Sequence, residues 1–125
     1  MKSGYKRKIR VVFVASGSVR RAHAAAEFAL ASGWMEARAH CLPPMMAAFA
    51  GLAQEPAWLW ADLVVALDRY AYQALPPLPS AVQVKCYEFP EPVDEAAWPA
   101  LRCALRGRVE GMVAGLAMME RAAQD

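Results

Sequence analysis

A chain of 125 residues and 13.7 kDa is long enough for one compact domain with its own core, spanning 1–125, and a second domain is not expected. Hydrophobic residues make up 58% of it and charged residues 21%, which excludes extended disorder. A formal charge of +2 and a pI near 8.5 are too mild to argue for nucleic acid, and no run approaches the ~20 apolar residues that span a bilayer.

The basic cluster Lys2, Lys6, Arg7, Lys8 and Arg10 reads as a solvated N-terminal arm, flexible over 1–8, and not as a signal peptide, since only four apolar residues follow it. Val11-Val12-Phe13-Val14 is a short β-branched and aromatic run, the pattern of a strand buried on both faces. Ala15 to Arg21 reads as a loop. From Ala22 strong helix formers run to Ser32-Gly33, where the glycine marks the helix end. Met35 to Cys41 alternates enough for an edge-like strand, closed by Leu42-Pro43-Pro44, and Pro44 suits the first position of a short helix Met45 to Leu52. Asp62 to Leu67 is a second buried strand, ending at Asp68, which can cap a helix Arg69 to Leu75. Val82 to Tyr87 is the fourth strand, and a proline-bracketed loop, Phe89 to Asp94, follows it. In the last third, Leu101, Leu105, Val109, Met112, Val113, Leu116 and Met119 form one apolar helical stripe, read as core-facing.

Strand and helix alternating four times predict an α/β domain: a three-layer α/β/α arrangement on a four-stranded parallel, doubly wound sheet with right-handed crossovers. Ligands of such sheets bind beyond the carboxyl ends of the strands, where strand order reverses. With the first strand central, the Ala15 to Arg21 loop lies there. A strand, a small polar loop and a helix start aim backbone N–H groups at one point, where an anion can sit. Arg20 and Arg21 stand at the positive end of that helix, where the macrodipole disfavours cations by up to about 1 kcal/mol. A bound anion accounts for them; two solvated loop arginines are the plainer alternative.

The remaining candidates have two readings each. The cysteines Cys41, Cys86 and Cys103 are far apart, odd in number and without metal-ligand spacing, which fits a reducing, cytoplasmic setting and implies no metal or cofactor. Cys86 and Cys103 read as core; Cys41, beside His40, reads as a buried structural cysteine or as a thiol displaced toward the loop. His23 can donate to an oxyanion or simply face solvent. Trp58 and Trp60, with Met45, Met46 and Phe49, read as core or as a patch for a protein partner.

The succession VVFVASGSVRRA, ADLVVALD and FPEPVD before a long final helix resembles the low-molecular-weight protein tyrosine phosphatases and the arsenate reductases that share their fold. The likeness covers most of the chain in order, with a shortened segment between Cys41 and Asp62, and it implies strand order 2-1-3-4. It places an anion loop on Ser16, Gly17, Ser18, Val19, Arg20 and Arg21, with Gly17 matching the loop glycine and Arg21 the arginine that grips phosphoryl oxygens. Five positions depart. The nucleophilic cysteine falls on Ala15, the loop-ordering asparagine on Ser18, the second cysteine on Arg20, the hydroxyl residue on Ala22 and the proline on His23. The general-acid aspartate falls on Glu91, between Pro90 and Pro92, which can otherwise be an exposed loop carboxylate. The aromatic positions that follow it fall on Val93 and Asp94.

Phosphoryl transfer by this route needs a thiolate acceptor, a donor for the leaving alcohol and fixed positive charge on the equatorial oxygens. Ala15 offers a methyl, and loss of a nucleophile costs on the order of 10⁶-fold, roughly 8 kcal/mol of barrier. Ser16 or Ser18 is a poor substitute without an adjacent base and an in-line position. One engineered cysteine-to-alanine change would account for Ala15 alone, whereas Ser18, Ala22, His23 and Glu91 differ as well. The expected function is therefore a pseudophosphatase that keeps a loop for phosphate, sulfate or a similar oxyanion. The alternatives are an interaction module with a vestigial loop, carrying its partner on the Trp58 and Trp60 surface, and an active phosphatase or arsenate reductase using another thiol.

Overall fold

The computed structural model describes residues 8–42, 60–89 and 92–124, with side chains through 118 except that of Leu42. Four strands, β1 (Ile9–Ser16), β2 (Met35–Leu42), β3 (Leu63–Ala66) and β4 (Gln83–Cys86), form one sheet in the order β2-β1-β3-β4, and every neighbouring pair is parallel. The helices are α1 (Arg20–Ala31), α2 (Arg69–Ala74) and α3 (Trp98–Gln124), the last entered through a 3₁₀ turn at Glu95–Ala97. This is the expected α/β/α fold. Among the described residues no helix is long and apolar enough to cross a membrane. The expected helix Met45 to Leu52, Trp58, Glu91 and the first seven residues lie outside the described residues.

The run Val11 to Val14 is uninterrupted because both faces of β1 are covered, and all four side chains are fully buried. Val11, Phe13 and Ala15 belong to one core cluster with Leu63, Val65 and Leu67, closed by α1 and α3. On α1 the buried face is Ala22, Ala25, Ala26 and Ala29, spaced three and four apart, and these methyl-sized side chains let the helix lie close to the sheet. From α3 come Leu105, Val109, Met112 and Val113, the centre of the predicted stripe. Val12, Val14, Val64 and Ala66 face the other way, into a second cluster with Ala71 of α2 and half-buried Trp60. Burying each such Val or Leu contributes roughly 1.5–3 kcal/mol. Phe13→Ala, at a site with no exposure, would remove about 3–5 kcal/mol.

Two of the boundaries that differ from the sequence expectation bear on the site. β1 continues to Ser16, because β2 pairs along its whole length to Leu42. α1 starts at Arg20, two residues early, with the His23 N–H already bonded to the Val19 carbonyl at 2.8 Å. The loop is therefore only Gly17-Ser18-Val19, and Arg20 and Arg21 belong to the first helical turn. Gly17 makes so tight a turn possible: its φ of +81° lies in the left-handed region that side chains disfavour.

Candidate functional site

Above the carboxyl ends of β1, β3 and β4 lies a cleft of about 410 Å³. Its floor is Ser16 and Gly17 from the loop, Arg21 from α1 and Asp68 from the end of β3; Arg69, Tyr70, Glu88 and Phe89 make its rim and walls. This is the edge where a ligand of a doubly wound sheet is expected.

The Arg21 side chain is only 2% exposed and points inward. Its Nη1 donates to the Phe89 carbonyl, and its Nη2 donates to the Ser16 carbonyl at 2.6 Å and lies 3.1 Å from Asp68 Oδ2. A guanidinium with no counter-charge would cost stability there, and the Asp68 carboxylate supplies one. Asp68 Oδ2 also accepts the Ser16 N–H at 2.9 Å; Oδ1 accepts the Ser16 hydroxyl at 2.9 Å and the Ala71 N–H at 2.7 Å. An anion thus does sit against Arg21 and the loop, and it is a side chain of the chain itself. Burial pushes the Asp68 carboxyl up, but the N–H groups of Ser16 and Ala71, the Ser16 hydroxyl and the Arg21 charge outweigh it and hold the group below its ordinary 3.8.

The other loop residues are also tied. Ser18 donates its N–H to the Ser16 carbonyl at 2.9 Å and accepts the Arg20 N–H on its hydroxyl at 3.1 Å. Arg20 turns away from the cleft: it makes a two-pronged pair with Glu95, at 2.6 and 3.0 Å, and stacks 3.9 Å over the Trp98 ring. Val19 is exposed and has no side-chain capping role. His23 is exposed on the outer side of α1, with Nδ1 3.8 Å from Glu27. Arg69 and Glu88 pair across the rim at 3.0 Å, both well exposed.

Ala15 is fully buried, its methyl in the core cluster. The nearest cysteine by register is half-buried Cys41, its partner on β2. Cys86 and Cys103 are exposed, contrary to the sequence expectation. Cys86 is on β4, an edge strand whose four residues all face solvent, and Cys103 is on the outer side of α3. The Cys86 sulfur is 4.0 Å from the Asp68 carbonyl; burial, then the negative charges of Glu88 and Asp68, push its pKa up, so it stays a thiol at neutral pH. The Ser16 hydroxyl donates to Asp68 Oδ1, a carboxylate held below its ordinary pKa. Among the described residues no group of His, Cys, Asp and Glu could hold a metal ion. Trp60 is half-buried under the guanidiniums of Arg38 at 4.0 Å and Arg10 at 5.6 Å.

Sequence reasoning brought Ser16, Gly17 and Arg21 to one place, and the structure keeps them there. It missed Asp68 as more than a helix cap, along with Arg69, Tyr70, Glu88 and Phe89. The available signal was positional: Asp68 directly follows a buried strand that must neighbour β1, so the two strand ends share one edge. No family model matches the chain, and no curated protein matches it.

Proposed function

We propose that the chain is a phosphatase-like binding module, a pseudophosphatase without cysteine-based phosphoryl transfer, in which Asp68 takes the place of the oxyanion at the loop. One observation carries this reading: the Asp68 carboxylate already receives the Ser16 N–H, the Ser16 hydroxyl and the Arg21 guanidinium. The methyl of Ala15 at the position of the nucleophile supports the loss of chemistry.

The test is thermal stability in inorganic phosphate and in sulfate, for the natural chain and for Asp68→Ser. Serine keeps a helix-capping oxygen for the Ala71 N–H while removing the charge and shortening the side chain. The natural chain is expected to show no phosphate-dependent rise in Tm, and Asp68→Ser is expected to gain one, because an anion bound only to the folded state raises stability by mass action. A rise in the natural chain overturns the proposal. It would favour a second reading, a retained oxyanion site, whose support is that Ser16, Gly17 and Arg21 all line an open cleft.

A further inference from the structure

The link between α2 and β4 begins Leu75-Pro76-Pro77-Leu78-Pro79. Each proline fixes its own φ near about −65° and pushes the residue before it, here Leu75, Pro76 and Leu78, into extended backbone. All five residues are thus constrained toward one conformation, the left-handed polyproline II helix. Leu75 has φ −63° and ψ 137°, which is that geometry, and residues 75–79 belong to no α-helix or β-strand. Such a helix repeats every three residues, and burial follows the repeat. Leu75 and Leu78 pack on the core cluster beneath α2, whereas Pro77, Pro79 and Ser80 are exposed and Pro76 is half-buried. Two ridges therefore face outward, Pro76 with Pro79 and Pro77 with Ser80. Among the described residues no backbone N–H is bonded to the Pro76, Pro77 or Leu78 carbonyl, while the Pro79 carbonyl accepts the Val82 N–H at 2.9 Å. The Gln83 N–H donates to the Asp62 carbonyl at the start of β3, so the link lies at the amino edge of the sheet, opposite the cleft.

We propose that residues 75–80 are a docking ligand for a proline-reading groove of a partner protein, one lined by aromatic rings that carry N–H or O–H donors. The occupant follows from the chemistry of the ridges. Flat pyrrolidine rings seat between aromatic faces, and carbonyls take the indole or phenol hydrogens at the groove's rim. A chain already held in this conformation by its own prolines and by two buried leucines loses little entropy on docking. Strand addition is closed to the same segment, because three of its first five residues have no N–H to donate. Tyr72, whose carbonyl accepts the Leu75 N–H at 3.4 Å, is 49% exposed one turn before the ridge and adds apolar surface beside it.

The experiment is a titration of the full chain, followed by amide chemical shifts, with an isolated SH3 domain and an isolated WW domain. Both probes are chosen for binding a plain decaproline peptide, so that they read the helix and not its flanking residues. At least one is expected to give saturable shifts at Tyr72, Leu75, Leu78, Ser80 and Ala81, with a Kd of about 0.1 mM for so short a segment, and decaproline should reverse them. The Ser16 and Gly17 amides, at the opposite edge, should stay still. Pro77→Ala and Pro79→Ala, both at exposed positions, should each weaken binding about tenfold while Tm falls by less than about 4 °C, which separates a lost contact from a lost fold. The proposal is overturned by the absence of saturable shifts with both domains, by shifts that decaproline does not reverse, or by unchanged affinity in both variants. Shifts at the same amides on raising the concentration of the chain alone would assign the ridge to a second copy and overturn it as well.

Discussion

Replacing Asp68 by asparagine removes one charge and almost no volume. The carboxylate offers two acceptor oxygens to four donors: the Ser16 N–H, the Ser16 hydroxyl, the Ala71 N–H and Arg21 Nη2. An amide offers one acceptor and one donor group. If its oxygen stays with Ser16 N–H and Arg21, its NH₂ replaces Oδ1, where the Ser16 hydroxyl can rotate to accept but the Ala71 N–H cannot. The helix cap is then lost, at about 1 kcal/mol. Loss of the charge-assisted contact to buried Arg21 adds about 2 kcal/mol, for a total near 3 kcal/mol. With an unfolding entropy of about 2.1 cal/mol/K per residue over 125 residues, Tm should fall by about 11 °C at neutral pH. Calorimetry and urea denaturation measure this directly. A loss below about 1 kcal/mol, the range of an exposed pair, would refute the view that Asp68 is the counter-ion on which the loop depends. The pH dependence gives an independent reading. The folded-state pKa of Asp68 lies below its ordinary 3.8, so the unfolded chain takes up the proton more readily. The carboxylate's contribution is complete above that ordinary value and fades as pH falls through the lower folded one. Over that acidic window the natural chain should lose stability faster than Asp68→Asn, and parallel curves would count against the assignment.

Ala15→Cys places a thiol where the resemblance to the phosphatases would put the nucleophile, yet it should not turn over a generic aryl phosphate, because Ser16 and Arg21 are already bound to Asp68; measurable turnover would show that the loop admits phosphate. Gly17→Ala introduces a methyl that, among the described residues other than its chain neighbours, meets no atom within 4 Å, so the opposition comes from the backbone at φ +81°. The expected loss is about 1–2 kcal/mol, or about 4–8 °C in Tm, and an unchanged melting curve would mean that the loop relaxes to a negative φ without consequence.

The legible elements of the fold were those governed by burial. Val11 to Val14 and Leu63 to Leu67 are continuous apolar runs because β1 and β3 are the two central strands, and the α3 stripe repeats at helical spacing because one side of α3 covers the sheet. β4 was placed correctly, but the burial of Cys86 was not. Alternation in Val82 to Tyr87 cannot reveal that a strand sits at an edge, where residues on both faces reach solvent. The site was legible only along the chain. Gly17 and Arg21 belong to one local loop-to-helix pattern, whereas Asp68 lies 52 residues from Ser16 and Phe89 lies 68 from Arg21. The direction of an arginine side chain depends on where its acceptors are, and those acceptors come from three separate strand ends. Local charge reasoning expected a bound anion near Arg21 and had no means of telling an external ligand from a distant carboxylate.

An arginine at position 21 is therefore weak evidence for an oxyanion ligand. Its guanidinium joins Ser16 at the end of β1, Asp68 beyond β3 and Phe89 beyond β4, and so pins three strand ends together. Arg21→Ala would leave the Asp68 carboxylate buried without this counter-charge and take one donor from each of the Ser16 and Phe89 carbonyls, a loss of about 3–5 kcal/mol. That loss is expected whether or not phosphate ever binds, so a phosphate effect missing in Arg21→Ala could reflect unfolding alone. Asp68→Ser separates the two explanations. It removes the competing anion while keeping the guanidinium on the Ser16 and Phe89 carbonyls and the cap on Ala71. If its melting temperature rises with phosphate while the natural chain stays flat, the loop has kept its capacity for oxyanions and Asp68 has filled it; if neither responds, the arginine is a structural clasp and nothing more.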